Sequence, residues 1–76
     1  MTPVIIHWLD AVDHGDGWGE PRHRPVKQVA IGYLLKYDSE GISYCVEYSE
    51  EDGSWRGETF IRDQDIVSVM ELDIEL

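Results

Sequence analysis

The alternation of apolar residues between positions 28 and 72 constrains the fold of this chain more than any other feature. In residues 28–37 every second side chain is apolar or aromatic, which is the period of a β-strand. The alternating set is Val29, Ile31, Tyr33, Leu35 and Tyr37. Residues 42–48, 55–62 and 66–72 carry further runs of this kind, so the segment predicts four consecutive strands.

Short polar segments separate these four strands. Residues 38–41 and 50–53 both end in glycine, which adopts a positive φ without steric cost, and the pair Asp52-Gly53 is typical of a hairpin turn. At residues 63–65 we expect one turn of 3₁₀ helix with Asp63 as its cap. In the strand that follows, one face is predicted to carry Ile66, Ser68 and Met70, and the other Val67, Val69 and Glu71.

A fifth strand is predicted within residues 1–11, ahead of the meander. Val4, Ile6 and Trp8 fall on one of its faces, and Ile5, His7 and Leu9 on the other. Because both faces are largely apolar, we expect the strand to be covered on both sides, by a barrel interior and by a loop or a second copy of the chain.

Five strands and one short 3₁₀ turn, with no longer helix, predict a single all-β domain spanning residues 1–76. We expect a small five-stranded Src-homology-3-like barrel whose long first loop is residues 10–27. An open five-stranded meander and a partly open oligonucleotide-binding barrel are the alternatives. In either case Tyr33, Val46 and Ile61 are expected in the core.

The charge balance limits the classes of partner. The formal net charge is −10, from sixteen Asp and Glu against six Lys and Arg. Such a charge repels phosphates and anionic lipids, so we expect no direct nucleic-acid binding and no membrane association. The acidic surface either keeps the protein soluble or imitates a nucleic acid towards a host protein. The single Cys45 excludes an internal disulfide, and together with the lack of a signal segment it predicts a cytoplasmic protein.

The predicted loop at residues 10–27 contains the clearest functional signal. Residues 22–27 hold three of the six Lys and Arg: Arg22, Arg24 and Lys27. Guanidinium and ammonium groups bind phosphate oxygens, which would suit a diphosphate. The same cations could instead neutralise the nearby carboxylates Asp10, Asp13, Asp16 and Glu20, and the sequence leaves both interpretations open.

Aromatic residues offer a second signal, because a nucleotide base stacks on a flat ring. Trp18 lies in the predicted loop and Trp8 adjoins it, so these two are the best candidates. Aromatic residues within the strands are more simply explained as core and cross-strand pairs.

Metal binding and catalysis have little support in the sequence. The potential ligands at residues 7–23 have no recognised metal spacing, and no nucleophile motif, phosphate loop or dinucleotide fingerprint is present. His7 or His14 could pair with Asp10 as a base and its orienting carboxylate. An isolated pair of this kind is more often a surface hydrogen bond, so we expect no enzyme activity, no cofactor and no metal.

Several short words resemble a family of small bacteriophage proteins. They are residues 7–11 (His-Trp-Leu-Asp-Ala), 17–18 (Gly-Trp), 31–35 (Ile-Gly-Tyr-Leu-Leu), 60–61 (Phe-Ile) and 66–72. Members of that family usually carry a Pro-Lys-Gly-type turn where this chain has Arg-Asp-Gln at residues 62–64, so no role of a basic residue in that turn is carried over to this chain. A phage origin would imply an inhibitor of host defence. It would be similar in function to the Lockin and Sequestin signal sponges, compact oligomers that capture ADP-ribose derivatives.

The sequence therefore leads to two functional hypotheses. In the first, a homo-oligomeric phage protein sequesters a nucleotide-derived immune signal without cleaving it. Its expected ligand-binding residues are Trp8, Asp10, His14, Trp18, Arg22, Arg24 and Lys27. In the second, the acidic surface inhibits a host defence protein.

Overall fold

The computed structural model describes residues 1–10 and 25–73. Seven strands and one 3₁₀ turn follow one another along the chain. They are β1 (Pro3–Asp10), β2 (Val26–Tyr37), β3 (Gly41–Cys45), β4 (Glu47–Tyr48), β5 (Trp55–Arg56), β6 (Thr59–Arg62), the 3₁₀ turn (Asp63–Asp65) and β7 (Ile66–Glu71). The expectation of a β-rich chain with a 3₁₀ turn before the last strand is confirmed. No helix among these residues is long and apolar enough to cross a membrane.

Five of the strands form one antiparallel sheet in the order β6-β3-β2-β1-β7, and β4 pairs with β5 in a separate hairpin. β6 and β7 lie at the two edges of the larger sheet, and within the described ranges they are not hydrogen-bonded to each other. The closed barrel expected from the sequence is therefore not found, and what the structure shows is a five-stranded antiparallel sheet.

Two of the predicted strands are each broken in the middle. The run at residues 42–48 divides into β3 and β4 at Val46, and the run at residues 55–62 divides into β5 and β6 at Gly57-Glu58. Gly57 has a φ of +70°, and a Cβ at this position would collide with the Val46 side chain. The Val46 N–H donates to the Arg56 carbonyl at 3.1 Å, so the backbone remains connected across the break. Val46, expected in the core, is instead 58% exposed.

The core lies on one side of the sheet, which we call the inner face. Its fully or almost fully buried side chains are Val4, Ile6, Ile42, Tyr44 and Ile61. Partly buried residues pack against them: Trp8, Ala30, Leu34, Ile66 and Val69. The expectation for Ile61 is confirmed. Gly32 also faces inward, and a Cβ there would lie 2.6 Å from both the Cys45 carbonyl oxygen and the Tyr44 ring.

The opposite side of β1, β2 and β7, which we call the outer face, is also apolar. Ile5 pairs with Ile31 on one side and with Met70 on the other, and His7 pairs with Val29 and Ser68. Ile31 is 64% exposed, and Val29 and Met70 are each 59% exposed. The alternating residues at the start of β2 thus lie mostly on the exposed side of the sheet.

Strict alternation fails at two irregularities in register. Between Leu34 and Lys36 the pairing of β2 with β3 shifts, so that Tyr37 pairs with the buried Ile42 rather than continuing the outer face. Between His7 and Trp8 the pairing of β1 with β7 shifts as well, and Trp8 pairs with Ile66. Ile66 and Val69 therefore both pack on the core, and the prediction that they face opposite ways is wrong.

The 3₁₀ turn begins without the predicted side-chain cap. Arg62, not Asp63, occupies the capping position, and no side chain there accepts a backbone N–H. The Asp63 N–H instead donates to the Glu40 carbonyl at 2.9 Å, which ties the turn to the β2–β3 loop. The Arg62 guanidinium lies 2.9 Å from the Asp65 carboxylate and spans the turn.

Candidate functional site

The structure places three of the seven predicted ligand-binding residues. Trp8 and Asp10 share the inner side of β1 by the pleat of the strand, and Trp8 is half-buried against the core. Lys27 pairs with Leu9 and so belongs to the outer face. The other four residues, His14, Trp18, Arg22 and Arg24, lie outside the described residues.

The pleat also separates the His-Asp pair that the sequence offered as a possible catalytic base. His7 is on the outer face, whereas Asp10 is three positions further along β1 and on the inner side. Within the described ranges no group of three or more His, Cys, Asp or Glu side chains could hold a metal ion.

A hollow of about 360 Å³, which we call the outer hollow, lies at the end of the outer face beside β1 and β2. Its lining residues are His7, Trp8, Leu9, Lys27, Gln28, Val29, Val67 and Ser68. No Asp or Glu is among the described residues that line it. Lys27 supplies a permanent positive charge, and His7 supplies an imidazole on the same face.

The register shift in β7 helps to build the outer hollow. Because His7 pairs with Ser68 and Trp8 pairs with Ile66, Val67 is the extra residue of a bulge. Val67 is 63% exposed and contributes to the wall of the hollow. An irregular pairing thus adds an apolar side chain beside Lys27 and His7, which suits a ligand with a flat apolar part and an anionic part.

A second concavity of about 470 Å³, which we call the hairpin cleft, lies where the β4–β5 hairpin meets β2. Tyr48 and Trp55 are directly opposed across the hairpin. The rings of Tyr33 and Tyr48 lie with centroids 6.4 Å apart and planes inclined at 48°. The cleft is lined by Tyr33, Val46, Glu47, Tyr48, Ser49, Asp52, Ser54, Trp55 and Arg56.

Hydrogen bonds order the polar end of the hairpin cleft. Asp52 Oδ1 accepts from the Ser54 backbone N–H at 3.0 Å and from the Ser54 hydroxyl at 2.7 Å. Donation from the Ser54 backbone, followed by its hydroxyl, holds the pKa of Asp52 below its ordinary value. The Trp55 indole N–H donates to Glu58 Oε2 at 3.3 Å.

Sequence reasoning missed the hairpin cleft as a site. It placed Tyr33 in the core, although Tyr33 is only half-buried and forms one wall of the cleft, and it explained Trp55 only as one of the core or cross-strand aromatic residues. A signal was present, because Tyr48 and Trp55 flank the predicted turn that contains Asp52-Gly53, and hairpin pairing brings such residues together.

Several cations of the described residues are already neutralised. Lys36 Nζ lies 3.3 Å from Asp38, Arg56 Nε lies 4.0 Å from Glu47, and Arg62 Nη2 lies 2.9 Å from Asp65. These exposed pairs add little to stability, but they reduce the positive potential that each cation projects.

Cys45 is the last residue of β3, pairs with Tyr33 of β2, and is fully buried. Burial, and then the nearby Glu58 carboxylate, raise the pKa of its thiol above the ordinary value. A buried, protonated thiol is a poor nucleophile, so Cys45 acts as a small apolar side chain.

No protein-family model matches the chain, and neither the curated proteins nor the solved structures contain a match.

Proposed function

We propose that this is a phage anti-defence protein that binds a nucleotide-derived immune signal of the ADP-ribose type and holds it without cleavage in the host cytoplasm. The observation that carries the proposal is the outer hollow: on a chain of net charge −10, its described lining has no carboxylate and includes Lys27 and His7. A ligand with negative charge has less repulsion to overcome there than beside an acidic surface.

The lining suggests how each part of such a ligand would bind. The apolar side chains of Leu9, Val29 and Val67 would cover a base, and Lys27 and His7 would meet phosphate oxygens. The chain leaves β1 after Asp10 and enters β2 at Val26, and these two residues pair with each other at the same end of the sheet. The other expected ligand-binding residues, His14, Trp18, Arg22 and Arg24, lie between these two strands in sequence and outside the described residues, and the proposal keeps them as part of the same site.

The proposal includes a homo-oligomer built on a Src-homology-3-like fold. The strand order β6-β3-β2-β1-β7 and the 3₁₀ turn before β7 suit that fold. The outer face supports an oligomer, since its exposed Val29, Ile31 and Met70 would be removed from water by a second copy. A ligand in the outer hollow would then lie at the edge of the contact between subunits.

Calorimetry and native mass spectrometry with linear and cyclic ADP-ribose derivatives test this proposal. We expect one ligand per hollow, and an affinity about tenfold lower for Lys27→Gln, because an ammonium–phosphate contact is lost. Lys36→Gln is the matched control, since Lys36 is already paired with Asp38 and lies outside the hollow. Absence of heat with every member of the panel would overturn the proposal.

A second candidate function is inhibition of a host protein through the acidic surface. It is favoured by the pairing of Lys36, Arg56 and Arg62 with carboxylates, which leaves the surplus of negative charge to dominate that surface. Affinity for such a protein would fall steeply between low and high salt, because exposed charges are screened beyond about 10 Å at 0.1 M ionic strength. A salt-independent affinity would exclude this candidate.

A further inference from the structure

The hairpin cleft has a chemistry opposite to that of the outer hollow, and the proposed function does not use it. We propose that the hairpin cleft binds an alkylammonium cation, supplied by a lysine side chain of a partner protein or by a free polyamine. The proposal does not depend on the nucleotide-binding proposal, because it concerns different residues on a different part of the sheet.

Three aromatic rings form the walls of the cleft. Tyr48 and Trp55 are a directly opposed cross-strand pair, and Tyr33 approaches Tyr48 from β2 at a ring-centroid distance of 6.4 Å. The 48° inclination between the two tyrosine rings means that they do not stack face to face. The face of an aromatic ring is negative and attracts ammonium groups, so a cleft with three aromatic rings in its lining suits such a group.

The exposure of Trp55 argues against a purely structural role. Trp55 is 49% exposed on a strand of two residues, whereas an indole that only packs would be covered. Its N–H donates to Glu58, which restricts the orientation of the ring. An exposed ring held in a fixed orientation loses little entropy when a ligand binds to it.

A carboxylate at the end of the cleft completes the preference for cations. Both hydrogen bonds from Ser54 go to Asp52 Oδ1, which orients this carboxylate. Arg56, the cation in the lining, lies 4.0 Å from Glu47, a second carboxylate of the lining, which partly offsets the repulsion of a bound cation by Arg56. The overall charge of −10 further raises the local concentration of cations.

The test compares choline with its neutral isostere 3,3-dimethylbutan-1-ol, in titrations of the full-length protein followed through the Trp55 indole N–H signal by NMR. The two probes have the same shape and differ in charge. We expect choline to bind with millimolar affinity and the neutral alcohol at least about fivefold more weakly. Equal affinities would show that the cleft is only apolar. No shift with choline up to roughly 50 mM would show that it is no site. Either result overturns the proposal.

Variants locate the site and separate it from the rest of the molecule. Asp52→Asn should lower the affinity for choline about threefold. Tyr48→Leu, followed through the same Trp55 signal, should lower this affinity about tenfold, whereas Tyr48→Phe keeps the ring and should retain it. Phe60→Leu is the matched control, because Phe60 is an exposed ring of β6 outside the cleft lining. Equal weakening by Phe60→Leu and Tyr48→Leu would place binding elsewhere and overturn the assignment.

Two further probes distinguish the source of the cation. Nα-acetyl-lysine methylamide stands for a protein side chain, and spermidine stands for a free polyamine. The probe with the higher affinity identifies the source. Lys27→Gln should leave choline affinity unchanged within about twofold, because Lys27 lines the outer hollow and not the cleft. If this variant loses nucleotide binding and keeps choline binding, the two proposed sites are independent of each other.

Discussion

The inner and outer faces of β1 and β2 are similar in apolar composition but differ in what covers them. On the inner face Val4 and Ile6 are completely buried, whereas on the outer face Ile31 and Val29 are more than half exposed. The two sides of the same sheet thus have opposite surroundings. The difference shows that apolar alternation specifies a strand and its two faces, while the rest of the chain decides which face becomes core.

The largest effect expected from this comparison is on stability. Ile6→Ala should lower the free energy of unfolding by about 3 kcal/mol, because it removes buried methyl groups and leaves a cavity. Ile31→Ala makes the same chemical change on the outer face and should cost less than about 0.5 kcal/mol in the monomer. Urea denaturation of both variants at low protein concentration measures the difference. Equal losses would show that the outer face is as covered as the core.

The next effect concerns the space available on the inner face. Gly32→Ala should destabilise the protein by about 2 kcal/mol, because the new Cβ would lie 2.6 Å from the Cys45 carbonyl oxygen and the Tyr44 ring. Gly53→Ala is the control for backbone strain alone, since no atom lies within 4 Å of its added Cβ but its φ is +75°. Its cost should be nearer 1 kcal/mol. Thermal unfolding followed by circular dichroism ranks the two, and the reverse order would contradict the close approach at Gly32.

A carboxylate placed on the outer face tests whether a second copy covers it. Val29→Glu should weaken self-association at least about tenfold, through repulsion and the loss of apolar contact, while the monomer changes in stability by less than about 0.5 kcal/mol. Sedimentation equilibrium measures the association. Val46→Glu is the matched control, because Val46 is exposed to a similar degree but lies in the hairpin cleft. A wild-type protein that stays monomeric at high concentration would remove the oligomer.

The smallest effect belongs to the hairpin, away from both faces. The pKa of Asp52 is lowered in the folded state, so its contribution to stability is present above its ordinary value of 3.8 and is lost as the pH falls through the folded-state pKa. Asp52→Asn should therefore lower the melting temperature at about pH 7 but not at about pH 2. Glu51→Gln removes the same charge without breaking a hydrogen bond from Ser54 and serves as control. A difference that persisted at about pH 2 would rule out the ionised carboxylate as its cause.

The succession of strands along the chain could be predicted from the sequence, because each predicted strand has its own alternating run and each turn has its own glycine or Asp. The bounds of β1, the 3₁₀ turn and β7 lie within the predicted segments. The register between paired strands could not be predicted from the sequence. The shifts at His7-Trp8 and between Leu34 and Lys36 depend on pairing between strands, and a single run of residues does not contain that information.

The candidate sites were less accessible for the same reason. Trp8 was expected beside the loop after β1 and Lys27 within it, but Lys27 lies in β2, and the assignment of the two residues to opposite faces required the register of β1 with β2. The hairpin cleft needs Tyr33 as well as the Tyr48–Trp55 pair, and because Tyr33 is distant in sequence from Trp55, the local hairpin pattern predicts only the pair. Contacts between distant segments place these residues, whereas composition and alternation describe each segment alone.

The contact between Val46 and Gly57 lies at the break between the hairpin and the main sheet, outside the core. The two residues touch where the β4–β5 hairpin departs from the main sheet, and neither belongs to the buried cluster. We expect the angle between the hairpin and the sheet to set the separation between Trp55 and Tyr33, which both line the hairpin cleft. A larger or smaller residue at position 46 would therefore change the width of the hairpin cleft at little cost to folding. Substitution at this contact would be a way to alter which ligands the cleft accepts.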